Sequence, residues 1–244
     1  MRKLALFSLV VVLFISCKKT TIAELPVATM DLEGFVFLHN EFGQYQKSNA
    51  GVTVSLDNTS YSTTTDSLGK YVIKQIPAKY YDITFSKSGY GTYKQHEYYT
   101  DSLNGKTYQR SSLDLYVTPT SVITNLAAHI DQNNVVITGT ISPAGSRTER
   151  RGVVLFSTIL PNVSSTNYTK SQAVVFFVDS SSFSFQFPAS DFFSPPDTNY
   201  FVAYGIAANP IGGSVTPYYD FTNQVTIPSA LSPVYSNITS IVLP

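Results

Sequence analysis

From about Met30 onward the apolar residues recur with a period of two, the spacing of a pleated strand whose alternate side chains meet a core. Val52, Val54 and Leu56 alternate in this way, as do Tyr81, Ile83 and Phe85, and then Leu113, Leu115 and Val117. Each set predicts a strand with one buried face. Gly, Asn, Asp and Pro break the runs at short intervals, and no apolar pattern keeps helical spacing for three turns, so the chain reads as all-β. Asp66-Ser67-Leu68-Gly69 places a side-chain acceptor at the start of a tight turn and Gly at its end, joining a Thr-rich strand to Tyr71-Val72-Ile73. Thr118-Pro119-Thr120 interrupts the pattern and marks a boundary. It resumes with strands over residues 126–130 and 135–141. Phe183, Phe185 and Phe187 alternate later; exposed together they would form an aggregation-prone patch, so their predicted place is the core.

The N-terminal segment departs from the strand pattern. Arg2 and Lys3 precede an apolar run over residues 4–15, broken only by Ser8, and Ser16 supplies the small residue a signal peptidase needs. The run is shorter than the roughly 20 apolar residues a membrane-spanning helix requires. Cys17 follows at once and is the single cysteine of the chain. A lone thiol in an exported protein has no partner to pair with, whereas a lipid on its sulfur gives it a use. The segment resembles a bacterial lipoprotein signal: Ile15 and Ser16 fit the two positions before the cysteine, while Phe14 stands where that motif usually has Leu, Val or Ile. Lys18 occupies the position where lipoproteins retained at an inner membrane often carry Asp. The resemblance implies a lipid anchor at Cys17 and an address at the outer membrane or cell surface. Residues 1–16 are then a signal peptide, and residues 17–29 a lipidated tether.

Composition narrows the rest. Of the 244 residues 43% are apolar and only 13% are charged, about half the usual charged share of a soluble domain. With one cysteine there is no disulfide, so any core must hold by burial alone. Formal net charge is zero and no basic residue follows Lys170, so a phosphate-neutralising face is hard to build in that stretch and no nucleic-acid partner is expected.

Several motifs carry a family resemblance. Ala50-Gly51-Val52-Thr53-Val54, then Thr65 to Tyr71, Gln75-Ile76-Pro77, Tyr81 to Phe85 and Ser88-Gly89-Tyr90 resemble, in order and spacing, the carboxypeptidase regulatory-like domain. That implies a seven-stranded, transthyretin-like Greek-key sandwich over about residues 31–117. The family usually has Gly before the strand that Tyr81 opens, where this chain has Ala78-Lys79-Tyr80; Gly would supply a positive φ there without steric cost. In the second half Thr138-Gly139-Thr140, Arg151 to Leu155 and Asp197 to Tyr204 are similar to strands of a fibronectin type III-like domain, over about residues 120–228. The resemblance implies a second, Ig-like sandwich in which the Tyr200 hydroxyl ties a corner. The chain has no tryptophan, so Phe156 or Tyr204 is expected to fill the core volume that residue commonly takes. The expected organisation is two tandem Greek-key β-sandwiches, residues 30–117 and 118–228, with residues 229–244 as a C-terminal extension or extra strand.

No catalytic signature accompanies them. His96-Glu97 begins a metalloprotease-like pattern, but Thr100 stands where the second histidine belongs, and His39 and His129 are isolated. There is no Gly-x-Ser-x-Gly elbow, phosphate loop or calcium loop. No catalytic residue, metal or cofactor is expected, although a triad assembled across strands is recognised by geometry and not by sequence. Tyr90, Tyr93, Tyr98 and Tyr99 cluster, and they read either as surface rings that stack on a sugar or peptide or as ordinary half-buried strand residues. Asp66-Ser67-Leu68 and Asp101-Ser102-Leu103 resemble acceptor motifs for bacterial O-glycosylation. Three functions fit. The first is a non-catalytic envelope lipoprotein acting as a binding or scaffolding arm in nutrient capture or adhesion, with an envelope protein or glycan as partner. The second is a fimbria-like subunit that donates residues 238–243 as a strand, which is weakened if residues 229–244 lie in the chain's own sheet. The third is a hydrolase, which requires an exposed His with Ser and Asp in one cleft.

Overall fold

The computed structural model describes residues 28–99, 107–109, 112–192, 196–208, 217–221 and 223–243. Cys17, the signal and all but the last two residues of the tether, Thr100 and the triplet at Asp101 lie outside the described residues. Nearly all the regular structure of the described residues is strand. In the first half these are β1 (Thr29–His39), β2 (Thr53–Leu56), β3 (Ser62–Thr64), β4 (Lys70–Pro77), β5 (Tyr80–Ser86), β6 (Tyr93–Tyr98), β7 (Thr107–Gln109) and β8 (Leu113–Tyr116). One sheet centres on β1, which pairs antiparallel with β4 and parallel with both β7 and β8; the other runs β3-β2-β5-β6, antiparallel throughout. β7 lies beside Asp31 to Glu33 and β8 beside Val36 to His39, so the two act as one interrupted strand. With them counted together, the sandwich has the seven strands its motifs imply.

The alternation written in the sequence closes this core. Val52, Val54, Leu56, Tyr81, Ile83, Phe85, Leu113 and Leu115 are buried together with Leu32, Val36 and Leu38 of β1. At the end of β8 the alternation stops: Val117 is only half-buried, while Tyr116 turns the other way and is buried against the second half. The Asp66 turn forms as its residues require. Asp66 Oδ1 accepts the backbone N–H of Leu68 and of Lys70, each at 2.9 Å, and Gly69 takes φ +88°. A Cβ at Gly69 would stand 2.2 Å from the Val36 carbonyl oxygen, so this position requires glycine for space as well as for conformation. Ala78, Lys79 and Tyr80 need no positive φ. The left-handed residue is Gln75 (φ +55°), in a bulge of β4 opposite Asp31, whose Oδ1 accepts the Gln75 N–H at 3.0 Å.

The second half contributes β9 (Val122–Asp131), β10 (Asn134–Ser142), β11 (Arg151–Thr158), β12 (Lys170–Val178), β13 (Ser182–Pro188), β14 (Thr198–Ile206), β15 (Pro217–Asp220), β16 (Val225–Pro228), β17 (Leu231–Tyr235) and β18 (Thr239–Val242). A three-stranded sheet, β13-β10-β9, faces a sheet of order β12-β11-β14, with β17 and β18 both paired to β14. Between them lie Ile123, Val135, Ile137, Val153, Leu155 and four phenylalanines, Phe183, Phe187, Phe192 and Phe201. Phe185 packs against this core half-buried, so the alternating phenylalanines face inward.

Two expectations about aromatic residues are corrected. Phe156 and Tyr204 do not fill the space between the sheets; with Val154, Val202 and Ile206 they occupy the opposite face of β11 and β14. The four phenylalanines already fill the interior. Tyr200 is half-buried at the edge of that outer face and its hydroxyl makes no hydrogen bond among the described residues, whereas the Tyr204 hydroxyl accepts the Ser165 N–H at 3.2 Å. The loop-tying tyrosine is four residues, two repeats of the pleat, further along.

The outer face of β11 and β14 is covered by Val163, Ala207, Ala230 and, from the first half, Tyr116. Around that cover the halves are joined by polar contacts. Arg151 and Glu41, both largely buried, stand 2.7 Å apart (Nη1 to Oε2), and the guanidinium lies 4.7 Å from the centre of the Phe42 ring. Glu41 also accepts the Thr120 N–H at 3.0 Å, and its carbonyl accepts the Ala208 N–H at 2.8 Å. The chain passes close at Gly91, where a Cβ would stand 1.8 Å from the Ser229 carbonyl oxygen.

The C-terminal segment folds back in cis. β18 pairs with Thr198 to Phe201 of β14, Leu243 is buried in the second core, and Asn237 exchanges two 2.9 Å hydrogen bonds with the Leu126 backbone. The strand that a fimbria-like subunit would donate is already used at home, which weakens that reading.

Candidate functional site

Because Tyr81, Ile83 and Phe85 of β5 face inward, Tyr80, Asp82 and Thr84 face outward, and antiparallel register sets Asp82 opposite His96 and Thr84 opposite Lys94 of β6. This outer surface is partly roofed by the β15–β16 hairpin of the second half. Phe221 tilts against His96 on this surface at 4.9 Å, while Tyr218 reaches the edge of β6 and meets Tyr93, which packs on the core side, edge to face at 6.0 Å. The Tyr168 hydroxyl donates to the Thr226 carbonyl, tying the hairpin to its own sandwich. Between hairpin and sheet lies a cleft of about 120 Å³, lined by Asp57, Asp82, Lys94, His96, Tyr219, Asp220 and Phe221, with Asn58 and Gln95 completing it.

Each carboxylate is held. Asp82 Oδ1 lies 2.6 Å from His96 Nδ1; Asp57 Oδ2 accepts the Thr84 hydroxyl at 3.0 Å; Asp220 accepts the Asn223 backbone N–H at 3.2 Å and its side-chain amide at 2.9 Å. The Asp57-Asn58 turn is set against β5 by a 2.8 Å bond from the Asp57 N–H to the Asp82 carbonyl. Two of the lining rings are exposed, Tyr219 (45%) and Phe221 (57%), and meet edge to face at 4.9 Å; outside the lining, Tyr80 (61% exposed) stacks on His96 at 5.1 Å. Beneath them the Tyr218 hydroxyl is raised above its usual pKa, by burial first and the Asp220 charge second, so it stays neutral. The cleft therefore offers fixed acceptors, the Lys94 ammonium and Asn58 amide as donors, and ring surface. No serine or cysteine lines it, so the His96–Asp82 pair is not completed into a Ser or Cys triad there. Among the described residues no three His, Cys, Asp or Glu side chains come together as a metal site.

The tyrosine cluster is divided. Tyr99 is fully buried in the first core and has no surface for a ligand; Tyr90 and Tyr93 are half-buried against the same core. Burial raises the Tyr90 pKa. Tyr98 pairs with Tyr80 in register, and its side chain lies outside the described residues. His39 is buried between Tyr45 and Tyr116 and bonded to the Gly43 carbonyl and Asp114, each at 3.0 Å, a structural role. Of the cleft residues only His96 was weighed from the sequence; Asp57, Asn58, Asp82, Lys94, Gln95, Tyr219, Asp220 and Phe221 were passed over. Their signal was the outward phase of β5 and the aromatic-acidic run Tyr219-Asp220-Phe221.

Comparison with known proteins bears on the first sandwich. Residues 45–111 match the model of the carboxypeptidase regulatory-like domain. No curated protein matches the chain. Among solved structures it is similar to a DUF3823 family protein of Bacteroides uniformis, with 10% identity over 90% of this chain and 100% of that one, at a TM-score of 0.34. It is also similar to a second protein of that organism, named provisionally as carbohydrate-binding (13% identity, 88% and 99% coverage, TM-score 0.33). A cohesin–X-dockerin complex of Acetivibrio cellulolyticus matches over 36% of this chain at 21% identity and a TM-score of 0.31, and the match spans 58% of that chain's length. At these scores the likenesses carry no functional argument, and the family resemblance rests on residues 45–111, whose strands supply most of the cleft floor.

Proposed function

We propose that this chain is a cell-envelope lipoprotein, anchored through Cys17 at the outer membrane or cell surface, whose two sandwiches form a non-catalytic arm that presents the cleft over β5 and β6 to a ligand. The observation that carries the reading is that the cleft needs both halves: its floor comes from the first sandwich, and Tyr219, Asp220 and Phe221 come from the hairpin of the second. A tandem arrangement that only spaced two modules along a tether has no reason to bring three polar and aromatic hairpin residues over the other module's sheet. The lack of a serine or cysteine beside His96 counts against the triad that the hydrolase reading requires.

Two arms of one experiment test it. Cys17→Ser is expected to lose fatty-acid labelling and to leave the membrane fraction; unchanged membrane association contradicts the anchor. Capture of the full-length protein from native membranes is expected to retain an envelope protein or glycan that Phe221→Ala releases. Capture that is blank, or indifferent to Phe221→Ala, overturns the binding arm.

A further inference from the structure

The ligand class can be drawn from the cleft's chemistry. We infer that the cleft is a subsite for one residue of a neutral saccharide, an inference that rests on the binding-arm reading. A pyranose presents an apolar C–H face ringed by hydroxyls, each both donor and acceptor, and its receptor therefore combines a ring surface with fixed acceptors and a few donors. Tyr219 and Phe221 supply adjoining rings, exposed by 45% and 57%, at the mouth of a polar cleft. Burying such rings under a sugar face recovers apolar contact that water leaves unmade. Asp57, Asp82 and Asp220 supply acceptors already fixed by Thr84, His96 and Asn223, so little side-chain freedom remains to be lost on binding. Lys94 and Asn58 supply donors.

Size and charge narrow the class. At about 120 Å³ the cleft falls well short of the roughly 300–1,000 Å³ of sites that enclose a drug-sized ligand, so it takes one ring and leaves the rest of a chain in solvent. Three carboxylates against the Lys94 ammonium give an acidic cleft that repels a uronate or a sialylated sugar. A quaternary ammonium would require ring faces on several sides. Here Tyr219 and Phe221 meet edge to face, and the Phe221 ring is tilted on His96.

The test uses the full-length protein in detergent, with a panel of neutral gluco-, manno-, galacto- and xylo-oligosaccharides, their uronate counterparts and choline, read by titration. At least one neutral saccharide is expected to bind, with its uronate counterpart about tenfold weaker or worse. Phe221→Ala and Tyr219→Ala should each weaken binding by roughly fivefold to tenfold with an unchanged thermal midpoint, both rings being exposed. Asp82→Asn should narrow the gap between neutral and uronate forms. Failure of every neutral saccharide at millimolar concentration, binding indifferent to both ring substitutions, or preference for choline or a uronate overturns the inference. If the titrations fail while membrane capture still yields a partner that Phe221→Ala releases, the saccharide falls and the binding arm stands. If both fail, both readings fall.

Discussion

The two sandwiches use their sheets differently. In the first, the strands facing the core give it one side: β5 buries Tyr81, Ile83 and Phe85 and turns Tyr80 and Asp82 to solvent. In the second, β11 is buried at every position, because Val153 and Leu155 meet the facing sheet while Val154 and Phe156 meet a cover to which Tyr116 of the first half contributes. A sheet with one wet side can carry a binding surface; a sheet buried on both sides can carry a junction. The cleft and the junction follow that division, one on the outer face of β5 and β6, the other behind β11 and β14.

The largest effects should come from the aromatic residues that distinguish these two roles. Phe156→Ala empties the covered outer face and Phe85→Ala the first core, both fully buried sites where such truncation costs about 3–5 kcal/mol, measurable by urea unfolding. If Phe156→Ala costs no more than an exposed substitution, the outer face is not a core. Arg151→Ala leaves Glu41 largely buried without its cation and should cost about 3 kcal/mol in the same assay, whereas a value near zero would mean that water reaches the pair. Gly69→Ala forces a side chain into a left-handed turn against the Val36 carbonyl and should destabilise by about 1–3 kcal/mol, without changing ligand binding.

A smaller effect depends on pH. Burial, helped by the Asp114 charge and by Tyr45, pushes the Tyr116 hydroxyl up to about 12 from the ordinary 10.0. The folded state therefore keeps a proton that the unfolded state releases. The stability from neutral Tyr116 is complete below pH 10 and is lost as pH rises through about 12. Tyr116→Phe should flatten that decline in denaturant midpoints measured across pH 9–12, and an unchanged slope would place Tyr116 in water. The smallest expected change is at Leu68, exposed at the turn tip, where Leu68→Ser should stay within about 0.5 kcal/mol.

Strands and turns were legible in the sequence because their causes are local: period-two burial at Val52, Val54 and Leu56, and the acceptor-glycine chemistry of Asp66 and Gly69. The covered face was not. A run such as Val153-Val154-Leu155-Phe156 is apolar at every position, so it announces burial without saying which side faces the partner sheet. Phe156 was therefore assigned to the wrong side. The cleft was hidden for a different reason, since Asp57, Asp82, His96 and Asp220 meet only through strand register and a hairpin that crosses from the other half. His96 was read for a zinc partner four residues away, and its partner is Asp82 across the strand pair.

The two sandwiches are joined through the covered face of β11 and β14, so that hairpin and sheet hold one cleft between them. Calorimetric unfolding of the full-length protein, compared with Phe85→Ala and Phe156→Ala, tests it most directly. A single transition whose midpoint falls with either substitution is the predicted result. Two separate transitions, each moved only by the substitution in its own sandwich, would contradict it.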